Sequence, residues 1–418
     1  MSAKIQAIRG MEDVLPDATP LWEKLEDACR AVFRQYGYRN IRTPIVEPTA
    51  LFVRGLGEVT DIVEREMYVF PDRNNDSVAL RPEATAGIVR AAIEHNFLYN
   101  GPMRVWTAGP MFRYERPQKG RQRQFHQYDV EALGFAGPDV EAEQIVMLAR
   151  LWKSLGLTGV ELQVNSIGDA ADRLRHREKL VAHFEKHAGL LDEDAKRRLH
   201  SNPLRILDSK NPAMQAMIEG APKLLDFLGD GAARHFEALQ GLLADAGLQF
   251  EVNARLVRGM DYYNRTVFEW VSNAIGAQST ITGGGRYDGL FEQLGGKATP
   301  ACGFGLGMER VLLAMQAGGA RAEQAPDAFV IHAGEAAFRA AWIAAERLRD
   351  AGLEVVIAGV GSLKSQMKKA DASGARFAII LGDEEIAAGK LALKPLRIPG
   401  EQQLLAFDEA VARLRTVS

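Results

Sequence analysis

Residues 103–135, MRVWTAGPMFRYERPQKGRQRQFHQYDVEALGF, decide how this chain is read. They predict a long β-hairpin that turns around Pro117 and Gly120. Strand alternation places Arg123, Phe125, Gln127, Asp129 and Glu131 on one face and Gln124, His126, Tyr128 and Val130 on the other. Before the turn, Arg113 and Glu115 share a face, and Phe112 and Tyr114 share the opposite one. Taken alone, such a polar face suits a solvated surface. The tip argues for a ligand instead, because Arg116, Lys119, Arg121 and Arg123 fall within one short segment. Guanidiniums in that density suit a polyphosphate or a nucleic-acid backbone, which Arg can grip with two donors. Cations at the mouth with an amide and acids further in suit a substrate that is anionic at one end and polar at the other.

Other segments add to this. In residues 80–85, LRPEAT, Glu83 and Thr85 face the same way if the chain is extended. Residues 257–263, VRGMDYY, and 283–289, GGGRYDG, combine an Arg, paired tyrosines and three successive glycines; those glycines let backbone approach a ligand closely, although a plain turn needs them too. Residues 303–310, GFGLGMER, alternate glycine along a strand that runs into a helix. That alternation strips one sheet face of side chains and leaves a slot for a planar base, with Arg310 placed to reach a phosphate.

Upstream, Leu21, Leu25, Cys29, Val32, Phe33 and Tyr36 form a helical stripe over 21–36 that ends at Gly37. Residues 38–48 read as extended, confined by Pro44 and Pro48 to an edge or an interface. Helices are predicted over 88–99, 139–155 and 308–316, with strands near 162–165, 250–253 and 266–271. Residues 171–248 are rich in Ala, Leu, Lys, Arg and His at helical spacing and predict an all-helical insertion. After a linker at 318–326, strands at 329–331, 355–357 and 377–381 alternate with helices at 336–350 and 362–373, the pattern of a small α/β domain with a parallel sheet.

Composition bounds the rest. A chain of 418 residues with 47% hydrophobic and 25% charged residues is long enough for two or three domains with a large core. Cys29 and Cys302 form no CxxC pair or disulfide framework, which suits a reducing compartment. The net charge of −3 excludes a global positive field, so any nucleic acid must be held by local patches. No apolar run reaches the length of a membrane span, and residues 1–5 show neither signal nor transit character, so the expected location is the cytoplasm. Generic nucleotide motifs fail: Phe291 and Ala298 break a P-loop around Gly296 and Lys297, and Met308 breaks a GxGxxG from Gly303. His183 and His187 lie one helical turn apart, but Glu185 is misplaced for HExxH, and a solvated helix face accounts for them.

In order and content these segments resemble the class II aminoacyl-tRNA synthetases. Residues 21–48 resemble the family's motif 1, 112–125 its motif 2 and 303–310 its motif 3. Residues 258–263 and 283–289 resemble the signatures of the histidyl-tRNA synthetases of bacterial type, with Met260 where Leu is more usual. The resemblance implies an α+β catalytic domain on a mostly antiparallel sheet with flanking helices (1–169 and 249–320), a helical insertion domain (170–248) and an anticodon-binding α/β domain (326–418). It implies a ligase that activates L-histidine with ATP and transfers the histidyl group to tRNA(His). Arg113 and Arg258 would contact the α-phosphate, Arg258 in the role a metal ion plays in sister enzymes, and Arg310 the γ-phosphate. Glu115, Arg121 and Phe125 would complete the ATP site. Glu83, Thr85 and Gln127 would hold the ammonium and carboxylate end of histidine, and Glu131, Tyr263 and Tyr262 its imidazole. Arg116 and Gln118 would face the tRNA acceptor end. Mg2+ would accompany the β- and γ-phosphates, though its protein ligands are not evident, and the chain would act as a homodimer. The rival reading is a non-catalytic synthetase-like regulatory subunit of histidine biosynthesis; the retained Arg113, Arg258 and Arg310 and the C-terminal domain argue against it.

Overall fold

The computed structural model describes residues 4–416 apart from 59, 208, 210, 322 and 323. The chain divides into two compact units, 1–321 and 322–418. That division falls in the predicted linker, of which Ala322 and Glu323 lie outside the described residues, as do Met1, Ser2 and Ala3.

The first helix, α1 (Thr19–Gln35), buries Leu21, Leu25, Cys29, Val32 and Phe33 on one stripe. It closes with Gly37 at φ +77°, whose N–H reaches the Arg34 carbonyl while Tyr38 N–H reaches Phe33. This Schellman closure needs the left-handed conformation that glycine adopts without a Cβ penalty. The extended stretch after it splits at Pro44. β1 (Arg39–Asn40) adds to the large sheet in parallel beside residues 105–106, and β2 (Val46–Pro48) starts a second sheet. Among the described residues that second sheet has three strands, ordered β2-β4-β3, and α2 (Thr49–Leu56) precedes β3 (Val69–Pro71) and β4 (Ser77–Leu80). The helix predicted from residue 88 begins earlier, as α3 (Thr85–Glu94), and a left-handed Asn96 separates it from a short turn.

The hairpin forms as β5 (Met103–Phe112) and β6 (Gln124–Leu133), antiparallel and in register from Met103↔Leu133 to Phe112↔Gln124. After α4 (Asp139–Ser154) and β7 (Val160–Ser166) come α5 (Ala170–Lys186), α6 (Glu193–Ser201), α7 (Gln215–Glu219) and α8 (Asp230–Asp245). Then β8 (Glu251–Val252), β9 (Asn264–Ser272), β10 (Thr280–Arg286), α9 (Leu290–Gln293), β11 (Ala301–Gly307) and α10 (Met308–Ala317) complete the unit. Among the described residues the large sheet runs β1-β5-β6-β11-β10-β9-β7-β8, antiparallel except at its two edge pairs. Tyr128 packs edge-on against Phe33 and His126 against Trp22, so β6 turns its even positions to α1. The odd positions, Gln127, Asp129 and Glu131, face the other way.

The helical composition of 170–248 covers two packings. Leu180, Phe184, Leu199, Met214 and Ile218 form a separate core, whereas Leu224 joins the main core and α8 packs on α4, β7 and β9. The last helix of the predicted insertion thus belongs physically to the sheet.

In the second unit, β12 (Ala328–His332), α11 (Glu335–Asp350), β13 (Val355–Ile357), α12 (Leu363–Ala372) and β14 (Phe377–Leu381) form the predicted βαβ alternation. The sheet is mixed rather than all-parallel. After α13 (Asp383–Ala388), the hairpin β15 (Leu391–Pro395) and β16 (Gln403–Leu405) adds antiparallel to β14, before α14 (Phe407–Thr416). A hairpin needs only a short turn where a parallel strand needs a crossover, so this edge leaves no helical signal between its strands.

Candidate active site

Phe125, Gln127 and Asp129, odd positions of β6, line a cavity of about 340 Å³ on the face turned away from α1. The polar face is therefore not a solvated surface: Asp129 and Glu131 are 2% and 1% exposed. Two ends of different character follow.

At one end, Arg113, Arg121, Arg258 and Arg310 all line the cavity, each held by a neighbour. Arg113 donates from Nε to the Pro82 carbonyl at 2.9 Å, and its guanidinium lies 5.2 Å from the Phe125 ring. Arg121 pairs with Glu115 at 2.6 Å. Arg258 pairs with Glu269, which also accepts from Thr280 Oγ1 at 2.8 Å. Arg310 donates to the Gly120 and Thr280 carbonyls at 2.9 and 2.8 Å, so the first turn of α10 grips both the hairpin loop and β10. Burial, and then the charges of Arg121 and Arg113, pull the Arg310 guanidinium below its ordinary value. Four guanidiniums converging on one part-buried cavity are the electrostatic complement of a polyphosphate.

At the other end, Glu83 and Thr85 do not share one extended segment, since Ala84 is in the helical region and Thr85 opens α3. The Glu83 carboxylate accepts the N–H groups of Thr85 and Ala86 at 2.8 and 3.0 Å, at the start of α3. Thr85 Oγ1 donates to Glu131 Oε1 at 2.6 Å, and Tyr287 donates its hydroxyl to the other oxygen of Glu131. Burial pushes the Glu131 carboxyl well above the usual range, against those two hydrogen bonds. Gln127 Nε2 donates to Asp129 Oδ1 at 2.7 Å. Tyr262 and Tyr263 are buried with ring centroids 4.6 Å apart, and the Arg258 guanidinium is 5.9 Å from the Tyr263 ring. The structure thus brings Glu83, Thr85, Gln127, Tyr262 and Tyr263 to one wall, with Glu131 directly behind Thr85.

Sequence reasoning gave no role to two residues found here. Tyr287 sits inside the quoted GGGRYDG stretch, and Asp129 shares the face of Gln127 and Glu131, so alternation along β6 was the available signal for the latter. Arg116 and Gln118 lie apart from the cavity, exposed at the hairpin loop, where Gln118 and Arg121 exchange backbone hydrogen bonds.

The glycine-alternating strand does less for a planar base than expected. A Cβ at Gly303 would lie 1.5 Å from Glu131 Oε2, and one at Gly305 would lie 2.2 Å from Gln127 Nε2. Both glycines make room for side chains leaning over from β6; Gly305 and Gly307 still line the cavity. Across the sheet, a Cβ at Gly283 would meet the Arg258 guanidinium at 2.4 Å.

Residues 170–248 brace the loop that carries Arg258. Arg198 and Arg205 both reach Asp61, and Asn202 Nδ2 donates to Asp261 at 3.0 Å. His183 and His187 bond to the Met217 and His183 carbonyls. Among the described residues no group of three or more His, Cys, Asp or Glu is placed to hold a metal.

The family model described as "Histidyl-tRNA synthetase" matches residues 10–311, and "Anticodon binding domain" matches 327–416. The chain is 60% identical over 419 residues to a protein of Methylobacillus flagellatus named "Histidine--tRNA ligase", with 100% of each chain covered. It is 60% identical over 418 residues to a protein of Thiobacillus denitrificans with the same name, covering 99% of this chain and 100% of that one. The structure also superposes on the apo crystal structure of S. aureus histidyl-tRNA synthetase with a TM-score of 0.82, at 35% identity, covering 99% of this chain and 100% of that one. Cavity, signatures and full-length relatives agree: the chain belongs to the histidyl-tRNA synthetase family.

Proposed function

We propose that this chain activates L-histidine with ATP and transfers the histidyl group to the 3′ end of tRNA(His). The observation that carries this is the single cavity with guanidiniums at one end and buried acids, an amide and two tyrosines at the other. The histidine carboxylate attacks the α-phosphorus in line, forming histidyl-adenylate and releasing pyrophosphate. Charge grows on the phosphorus oxygens in that step, and Arg113 and Arg258 are placed to meet it more strongly in the transition state than in the ground state. Arg310 takes the γ-phosphate, while Glu115, Arg121 and Phe125 hold the nucleotide. Glu83, Thr85 and Gln127 take the ammonium and carboxylate end. Glu131, Tyr262 and Tyr263 take the imidazole, and a buried acid there rejects side chains that would leave it unpaired. Tyr287 and Thr85 fix that acid.

Mg2+ would accompany ATP and neutralise charge on its β- and γ-phosphates; among the described residues no group of three or more His, Cys, Asp or Glu is placed to hold it. Residues 1–169 and 249–320 form the catalytic domain, 170–248 the insertion that meets the acceptor stem together with Arg116 and Gln118, its last helix α8 packed on the catalytic sheet, and 326–418 the anticodon-binding domain. Homodimer formation through residues 38–48 accords with the exposed Ile45, Val46, Val69 and Phe70 on and beside the three-stranded sheet. Among the described residues no helix is long and apolar enough to cross a membrane, and we place the enzyme in the cytoplasm. The regulatory-subunit reading is not favoured, since full-length relatives are named as ligases; that Arg113, Arg121, Arg258 and Arg310 line one cavity supports the same choice.

Pyrophosphate exchange into ATP, run with each of the twenty amino acids and no tRNA, tests the activation step. Exchange with histidine alone is expected. Exchange with none, from folded protein, would overturn the proposal in favour of the regulatory subunit.

Gly303→Ala tests the imidazole wall. Its methyl would displace a Glu131 already locked by Thr85 and Tyr287. Misplacement of about 1 Å at a reacting centre costs about 100-fold, so histidine-dependent exchange should fall by that order. Unaltered exchange would show that Glu131 does not need this position.

A further inference from the structure

Asp129 lies two residues after Gln127 on β6, lines the cavity with it, and is 2% exposed. Its Oδ1 accepts from Gln127 Nε2 at 2.7 Å. Its Oδ2 is buried and, among the described residues, takes no hydrogen bond. Buried carboxylate oxygens are normally satisfied, so an orphan one at a cavity floor points to a ligand or a job done through a neighbour. The neighbour is informative. An amide that commits its NH2 to a carboxylate must turn its carbonyl oxygen the opposite way, because the group is planar and its two ends differ in sign. Gln127 without Asp129 has two equivalent flips; with Asp129 it has one.

We propose that Asp129 is a positioning residue for amino-acid binding: it holds the Gln127 amide with Oε1 toward the cavity and, with Glu83, supplies negative charge that the substrate ammonium neutralises. This rests on the reading above that the ammonium end of histidine lies at Glu83, Thr85 and Gln127.

The charges around Asp129 agree. Glu83 faces it from the segment before α3, Arg81 from just beyond β4, Arg113 from just beyond β5 and Glu131 from its own strand, while β11 offers only Gly305. Burial, then Glu83, push the Asp129 carboxyl up to about 8, against the opposing pull of Arg81, Gln127 and Arg113. Glu83 too is raised by its burial. Despite Arg81 and Arg113, both acids stay raised, so an ammonium bound beside them would further favour their charged forms. The sign follows: below about pH 8 the carboxyl of the free chain holds a proton, and ammonium binding favours its loss. Binding therefore releases a proton, and apparent affinity for histidine rises with pH toward 8, by at most about tenfold per unit.

The test compares full-length wild type, Asp129→Asn and Gln127→Ala in histidine-dependent pyrophosphate exchange at pH 6.5 and 8.0. Calorimetric titration of the wild type with L-histidine, in two buffers of different ionisation enthalpy at pH 7, counts the protons released. Asn keeps the shape of Asp but offers an NH2 as readily as an oxygen to Gln127. We expect its KM for histidine to rise about tenfold at pH 8 with far less change in kcat, and to lose its pH slope. Wild type is expected to release protons on binding; no release would overturn the proposal whatever the variants do. A raised KM in Gln127→Ala with wild-type KM and slope in Asp129→Asn would overturn this inference alone. Unchanged KM in Gln127→Ala would overturn the placement of the ammonium end, and this inference with it.

Discussion

Replacing Arg258 by alanine is expected to lower histidine-dependent pyrophosphate exchange by about 10³-fold, the scale set by removing one donor aimed at developing charge. Arg258 lines the cavity on the loop that Asn202 braces through Asp261, and its guanidinium covers the side-chain-free Gly283. It is also the ion-pair partner of Glu269, so the variant strands a largely buried carboxylate. That structural effect is separable from the chemical one. Losing a hydrogen-bond partner of a buried charge costs about 1–3 kcal/mol of stability, which a denaturant titration would read, whereas the catalytic loss should appear in kcat for exchange by folded protein. Arg258→Lys sharpens the comparison, since it keeps the charge but not the planar fork that grips phosphate oxygens. Lysine should restore much of the stability and little of the rate. Near-normal exchange by the alanine variant would remove Arg258 from the mechanism.

The second large effect concerns residues 322–418. Ending the chain after Arg321 should lower tRNA charging by about 10² to 10⁴-fold, the range expected when one of two linked binding modules is lost. Histidine-dependent exchange should stay within about threefold, because the residues that line the cavity all precede the cut. The truncated chain keeps the eight-stranded sheet and its core, while the removed unit carries its own core around Val330, Ile379 and Leu348. Charging and exchange falling equally would contradict an anticodon-binding role for this unit.

Much of this was legible in residue order because the features concerned are periodic or local. The hairpin was readable from alternation, α1 from its stripe and Gly37, and the second unit from alternating strands and helices. The segments that read poorly lack a local signal. Pro44 divides one extended stretch between two sheets, which only pairing partners reveal. The helix 230–245 has the composition of the insertion but the contacts of the main sheet. The antiparallel edge at 391–405 hides among Lys, Pro and Gly.

The sequence by itself determined which chemistry is present: the resemblance, the family, and the set of arginines, acids and tyrosines near the signatures. Chemistry of that kind is carried by residue type and spacing, which no packing alters. Tertiary structure decided who touches whom. It turned Glu83 into an acceptor for the first amides of α3, set Tyr287 on Glu131, and showed that Gly303 and Gly305 are bare because side chains of β6 lie across them. It also buried Asp129 beside Gln127 and Glu83. These relations join residues far apart in the chain, and they depend on strand register and on close packing between neighbouring strands, where a single methyl decides what fits.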